Sequence, residues 1–169
     1  MTRYPGPTGN APRKDPPHVT RRVLVFGGLV LGGAAVLGGG VFAARWYNIG
    51  SAPGDGALTA PEAFRRAEAG EILLVDIRRP DEWAATGVPR GAVPLDMRRA
   101  DFSATLSAAL GGDRTRPVAL ICARGVRSSR MADRMGKAGF TTVLDVPEGL
   151  LGSGAGPGWL NRGLPVELP

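Results

Sequence analysis

Three short, mainly apolar runs, Ile72 to Val75, Val118 to Ile121 and Val143 to Val146, are separated by helix-patterned segments. Runs this short with apolar residues at successive positions suit strands buried on both faces. Strands alternating with helices in this way imply an α/β fold, a parallel sheet with helices on both faces. In such a sheet ligands bind beyond the carboxyl ends of the strands. The residue directly after the second run is Cys122, the single cysteine of the chain. The helices between the runs have their own signals. Thr59-Ala-Pro-Glu62 is a capping-box pattern for a helix that Gly70 closes. Ser103 to Leu110 reads as a helix with a serine cap, stopped by Gly111 and Gly112, and Ser129 to Ala138 reads as another.

Cys122 opens the sequence Cys-Ala-Arg-Gly-Val-Arg-Ser, which ends at Ser128. A strand leading into a short loop and then a helix start makes an anion cradle. Backbone N–H groups point into such a loop and the helix macrodipole adds partial positive charge, so a thiolate is stabilised there. A free cysteine behind an apolar run can also be an inert core residue. That reading leaves Gly125, Arg127 and Ser128 without a purpose.

Other chemistries of cysteine are excluded by what the chain lacks. One cysteine permits neither an internal disulfide nor a CxxC redox pair nor a cysteine-based zinc site. The single histidine, His18, lies upstream of the long apolar segment from Val23 to Ala44, so a Cys-His dyad within one chain is not expected. No metal or other cofactor is implied. What remains is a thiolate activated by backbone dipoles and arginine, suited to attacking or carrying an anionic group.

The Cys-x-x-Gly-x-Arg-Ser loop behind an apolar strand resembles the active-site loop of single-domain rhodaneses, the thiosulfate sulfurtransferases. Three further blocks agree in order. Leu74-Val-Asp-Ile-Arg78 followed by Pro80-Asp-Glu-Trp83 is similar to that family's first strand and the helix start behind it. Thr86-Gly-Val-Pro-Arg-Gly-Ala92 resembles its Gly-His-Ile-Pro-Gly-Ala element, with the histidine absent and Arg90 as an extra residue. Val146-Pro-Glu-Gly149, Gly152-Ser153, Gly156-Pro-Gly-Trp159 and Gly163-Leu-Pro-Val166 resemble the C-terminal end of a subgroup. Related phosphatases and arsenate reductases share the fold but place five residues between cysteine and arginine. Here four separate Cys122 from Arg127, a tighter ring of donors that favours a persulfide sulfur over a tetrahedral oxyanion.

The resemblance implies ping-pong sulfur transfer. Cys122 is the nucleophile, and the backbone of Ala123, Arg124, Gly125, Val126, Arg127 and Ser128 holds the persulfide. Arg127 and Arg124 attract a small sulfur anion such as thiosulfate, with an inward bracing role for Arg127 left open. Asp76 and Arg78, at the end of the first strand, are supporting residues for which capping or salt bridging is the stronger reading. The acceptor is cyanide in the test tube and a thiol or partner protein in the cell. The alternative is a slow or non-catalytic sulfur-carrier or docking module at a membrane. Trp83 reads as a packing residue. Trp159 reads either as core or as a neighbour of the active loop.

The chain divides into a basic tail, residues 1–22, an apolar span, 23–44, a linker, 45–57, and a single rhodanese-like domain, 58–169. The net charge is +6, but after Ala57 fifteen Lys and Arg face thirteen Asp and Glu. That near balance argues against a nucleic-acid partner. The tail is rich in Pro, Gly and charge, a disordered composition. The apolar span is twenty-two residues without a charge, enough to cross a hydrocarbon core at about 1.5 Å per residue. Five Lys and Arg precede it and Arg45 alone closely follows, predicting a cytoplasmic N-terminus and an exported, periplasmic domain. Trp46 and Tyr47 suit interfacial anchors. Thr20-Arg-Arg-Val-Leu24 also resembles a twin-arginine signal, with Val41-Phe-Ala43 as a small-residue cleavage site. The span is longer than a cleaved signal usually needs, which favours a retained anchor.

Overall fold

The computed structural model describes residues 56–168. The expected tail, apolar span and most of the linker, with Trp46 and Tyr47, therefore lie outside the described residues. Among the described residues no helix is long and apolar enough to cross a membrane.

Helix α1 (Ala60–Glu68) starts where the capping pattern predicts, with the Thr59 hydroxyl accepting from the Glu62 N–H at 3.3 Å. Strand β1 (Leu73–Asp76) leads to α2 (Pro80–Thr86), then to the two short strands β2 (Val88–Pro89) and β3 (Ala92–Pro94). Helix α3 (Phe102–Ala109) precedes β4 (Val118–Ile121), α4 (Val126–Lys137) follows it, and β5 (Val143–Val146) and β6 (Val166–Glu167) complete the order.

The main sheet is parallel, in the order β3-β1-β4-β5, and β2 pairs antiparallel with β6 in a separate ribbon. Alternate residues of each strand point to opposite faces, and both faces are covered. On one, Val75, Ile77, Val118, Leu120 and Cys122 pack with Phe102 and Leu106 of α3 and Met131 and Met135 of α4. On the other, Leu74, Ala119, Ile121 and Val146 pack with Ala60 and Ala63 of α1 and with Leu150 and Trp159. The chain leaves β1 toward one edge and β4 toward the other, so the carboxyl ends of these neighbouring strands flank the crevice where this architecture binds ligands.

Three element boundaries differ from the sequence reading. Strand β1 is shifted one residue toward the C-terminus. Helix α3 is not capped by Ser103: Asp101 is the N-cap residue, and its carboxylate binds the Arg99 guanidinium rather than a helix amide. The buried Phe102 ring fixes where that helix begins. Helix α4 starts at Val126, because Gly125, with φ +82°, turns the chain directly into it. Gly56 and Ala57, expected in the linker, run beside β5: the Asp145 N–H donates to Gly56 O at 3.0 Å, and the Leu58 N–H to Asp145 O at 2.8 Å. Trp159 is fully buried core, edge-on to Phe64 at 5.7 Å, with its indole N–H donating to Pro165 O. Trp83 is half-buried on α2.

Candidate active site

Strand β4 delivers Cys122 to the floor of the crevice, where it is 1% exposed and packs among core side chains. The loop proper is only Cys122 to Gly125; Val126, Arg127 and Ser128 form the first turn of α4. By helix geometry the first amides of that turn have no intrahelical acceptor. The first bond to close is from the Ser129 N–H to Gly125 O, at 3.0 Å.

One side chain of that turn reaches the sulfur. The buried Ser128 hydroxyl lies 3.5 Å from Cys122 Sγ, to which it can donate, and 3.0 Å from Gly125 O. Arg127, from the same turn, makes its hydrogen bonds to Glu82. Its Nη1 and Nη2 donate to the two Glu82 carboxylate oxygens at 2.7 and 2.6 Å, a bidentate pair. The Arg127 bond holds the Glu82 carboxyl down at about 2, against burial, with help from the Arg79 amide. The same bond pushes the guanidinium further above its ordinary value. A cation in a helix's first turn opposes the macrodipole, and Glu82 offsets it. Of the two roles left open for Arg127, the bracing one is therefore present in the structure.

Arg124 turns the other way, its Nη1 donating to Gly152 O at 3.2 Å. The segment after β5 supports the loop from behind: the Leu150 and Leu151 N–H groups donate to Cys122 O and Ala123 O, both at 2.9 Å. Gly149 makes this approach possible. Its φ is +63°, and a Cβ there would stand 2.6 Å from Ala123 O and 2.7 Å from the Arg124 nitrogen. The buried Glu148 ties the segment down, accepting from the Ala60 N–H at 2.6 Å, the Gly158 N–H at 2.9 Å and Arg162 Nε at 2.7 Å. Burial, the largest influence on this carboxyl, pushes it up, and the three bonds together outweigh that and leave it lowered.

Asp76 and Arg78 do not reach into the crevice as a catalytic pair. They form a buried bidentate ion pair, 2.6 Å at its shortest, and Arg78 also donates to Gly87 O at 2.6 Å and Thr86 Oγ1 at 2.8 Å. They stitch the end of β1 to the end of α2, the salt-bridging role favoured from sequence. Glu82, Glu148 and Asp145 had no assigned role in the sequence reading. For Asp145 a signal existed, an acid within an apolar strand. Nothing local links Glu82 to Arg127, forty-five residues away.

The fold matches known proteins. Residues 59–152 match the family model for the rhodanese-like domain, more than half of the chain, and the protein belongs to that family. A search of curated proteins finds no match. Among solved structures, a polysulfide-sulfur transferase homodimer from Wolinella succinogenes is 27% identical, with 79% of this chain and 88% of that one covered and a TM-score of 0.52. A thiosulfate sulfurtransferase from Pseudomonas aeruginosa is 25% identical over 66% of this chain and 20% of its own, with a TM-score of 0.52. A rhodanese-like domain from Anabaena sp. shares the fold at 22% identity and a TM-score of 0.54, covering 66% of this chain and 78% of that one.

Proposed function

We infer that the protein is a sulfurtransferase that moves sulfane sulfur through a persulfide on Cys122. The observation that carries this reading is the placement of the one thiol at the carboxyl end of β4, with the Ser128 hydroxyl beside it and the first turn of α4 following the loop. The Cys122 thiolate attacks the outer sulfur of thiosulfate. A new S–S bond forms, the bond to the sulfonate sulfur breaks, and sulfite leaves with that electron pair. Charge is conserved: a thiolate and a dianion give a persulfide anion and sulfite dianion. The loop amides from Ala123 to Ser128 hold the persulfide, an electrostatic site set up before reaction. Cyanide, or a thiolate of a small molecule or partner protein, then takes the terminal sulfur and restores the Cys122 thiolate. The names of the Wolinella and Pseudomonas relatives support sulfane-sulfur donors such as polysulfide or thiosulfate.

A second reading, a slow sulfur carrier that hands persulfide to a docked protein, is favoured by the burial of the sulfur and by the engagement of Arg127 with Glu82. Thiosulfate-dependent thiocyanate production from cyanide distinguishes them, since rapid turnover excludes the carrier. Cys122→Ser should lower that activity on the order of a thousandfold or more while the fold persists, because a hydroxyl without a base is a poor nucleophile. Activity surviving in the serine variant would overturn the assignment. The same reading places the domain on the exported side of a membrane, held by the 23–44 span or released there after a twin-arginine-like signal is cleaved. The lysine and arginine bias around that span supports it.

A further inference from the structure

Glu82 and Arg127 meet across the carboxyl ends of two neighbouring strands. Strands β1 and β4 are parallel and paired, and their ladder runs one step further, the Ile77 N–H donating to Ile121 O at 2.9 Å beside Cys122. Helix α2 starts from the first strand and α4 from the second, with Glu82 in the first turn of one and Arg127 in the first turn of the other. The bidentate bond, 2.7 and 2.6 Å, therefore lies over the end of the sheet at which Cys122 is delivered.

Exposure separates this pair from the other brace in the region. The side chains of Asp76 and Arg78 are 0% and 2% exposed, those of Glu82 and Arg127 20% and 31%. The charges of the second pair are thus open to a solute approaching the crevice. Its neighbours are balanced in the same way. Arg79 lies 3.2 Å from Asp81 and 3.4 Å from Glu82, and Arg98, beyond the carboxyl end of β3, lies 2.6 Å from Asp96. Arg124 turns to Gly152 O. A guanidinium in the first turn of α4 would draw in a dianion most strongly, since the attraction grows with the charge of the anion. With a carboxylate locked on both of its nitrogens that advantage is cancelled, and the loop amides remain to hold the donor.

We propose that Glu82 is a specificity-determining residue, which cancels the Arg127 charge at the crevice and so tunes the site away from dianionic donors toward sulfane-sulfur donors carrying a single negative charge, such as an organic thiosulfonate. This rests on the reading of Cys122 as the persulfide residue. With methanethiosulfonate the Cys122 thiolate attacks the sulfane sulfur and a new S–S bond forms. The bond to the sulfonyl sulfur breaks and methanesulfinate leaves with that electron pair. A thiolate and a monoanion give a persulfide anion and a monoanion, so atoms and charge balance.

The test compares kcat/KM for thiosulfate and for methanethiosulfonate in the full chain, read as thiocyanate formed from cyanide. Differences in intrinsic reactivity cancel when the ratio of the two donors is compared between proteins. Glu82→Gln should raise the thiosulfate-to-methanethiosulfonate ratio about three- to tenfold at low salt, because removing one negative charge favours the dianion twice as much in free energy as the monoanion. The gain should vanish near 1 M KCl, where the screening length is about 3 Å. Arg127→Gln, which leaves the carboxylate uncompensated, should lower the ratio, and the double glutamine variant should return it to the parent value. Either single variant decides the matter if the other does not fold. A ratio unmoved in the single variants, both donors changing by one common factor, or a shift that persists at high salt would overturn the proposal, since a mere brace acts on both donors alike. Protection of Cys122 from iodoacetamide by sulfate and by methanesulfonate gives a second readout that needs no turnover, and the sulfate advantage should rise in Glu82→Gln by a similar factor. Turnover with an unmoved ratio refutes charge selection alone. Failure of both donors in the parent, with the protection shift present, refutes sulfur transfer and upholds charge selection; with the shift absent, both fall.

Discussion

Glu82 and Arg127 show how one ion pair can serve both the fold and the site. The Glu82 carboxyl is held at about 2, chiefly by Arg127, against an ordinary value of 4.5. A depressed acid contributes stability that is fully present above its unfolded value and is lost as pH falls toward the folded one. Glu82→Gln should therefore cost about 1–2 kcal/mol at pH 7, after discounting for its partial exposure to solvent. The cost should shrink as pH is lowered from about 4.5 toward 2. Urea unfolding of both proteins across that range checks the sign; a cost that stays constant with pH would show that the pairing is not its source. Such pairs are where sequence reading stops. Cys122, Gly125, Arg127 and Ser128 are legible because they crowd one short motif. Glu82 and Glu148 matter through partners that the fold alone brings near, 45 residues away for Arg127 and 88 for Ala60.

Among the elements, those that bury side chains on two faces were the most readable. Strands β4 and β5 have the bounds read from their apolar runs, and α1 begins at its cap. The short strands β2, β3 and β6 escaped, because two or three residues with prolines among them carry no periodic signal. The start of α4 was set three residues too late, since Ser128 was expected in the loop while its hydroxyl in fact turns inward to Gly125 O and Cys122. The support behind the active loop yields a prediction at this scale. Gly149→Ala would force a methyl group against the Ala123 carbonyl in a left-handed backbone conformation. We expect a loss of about 2–3 kcal/mol, from the steric push and the strained φ together, and a sharp fall in thiocyanate production. Thermal unfolding and the sulfur-transfer assay measure the two effects. A variant with parent stability and turnover would show that the loop does not depend on this close approach.

At the scale of the whole molecule, what matters is the side of the membrane on which the domain works. The charge bias around residues 23–44 predicts that alkaline phosphatase fused after Pro169 is active and that green fluorescent protein fused there is dark, unless the twin-arginine route carries it folded. The reverse pattern, with a domain that protease cannot reach in spheroplasts, would refute export. Replacing Arg21 and Arg22 by lysine keeps the charge bias and removes the twin-arginine signature. Export that survives supports an anchor, and export that stops supports the signal.

The Glu148 clamp also says something about how the chain comes off the ribosome. The amide that opens α1 finds its acceptor 88 residues downstream, and the strand edge beside Gly56 and Ala57 is made by β5, close to that same acid. The first described helix is thus synthesised long before the residues that fasten it exist. Non-local closure of this kind delays the gain in free energy until late contacts form. The nascent domain should stay protease-sensitive until Glu148 and Arg162 have cleared the exit tunnel, and then close in one cooperative step.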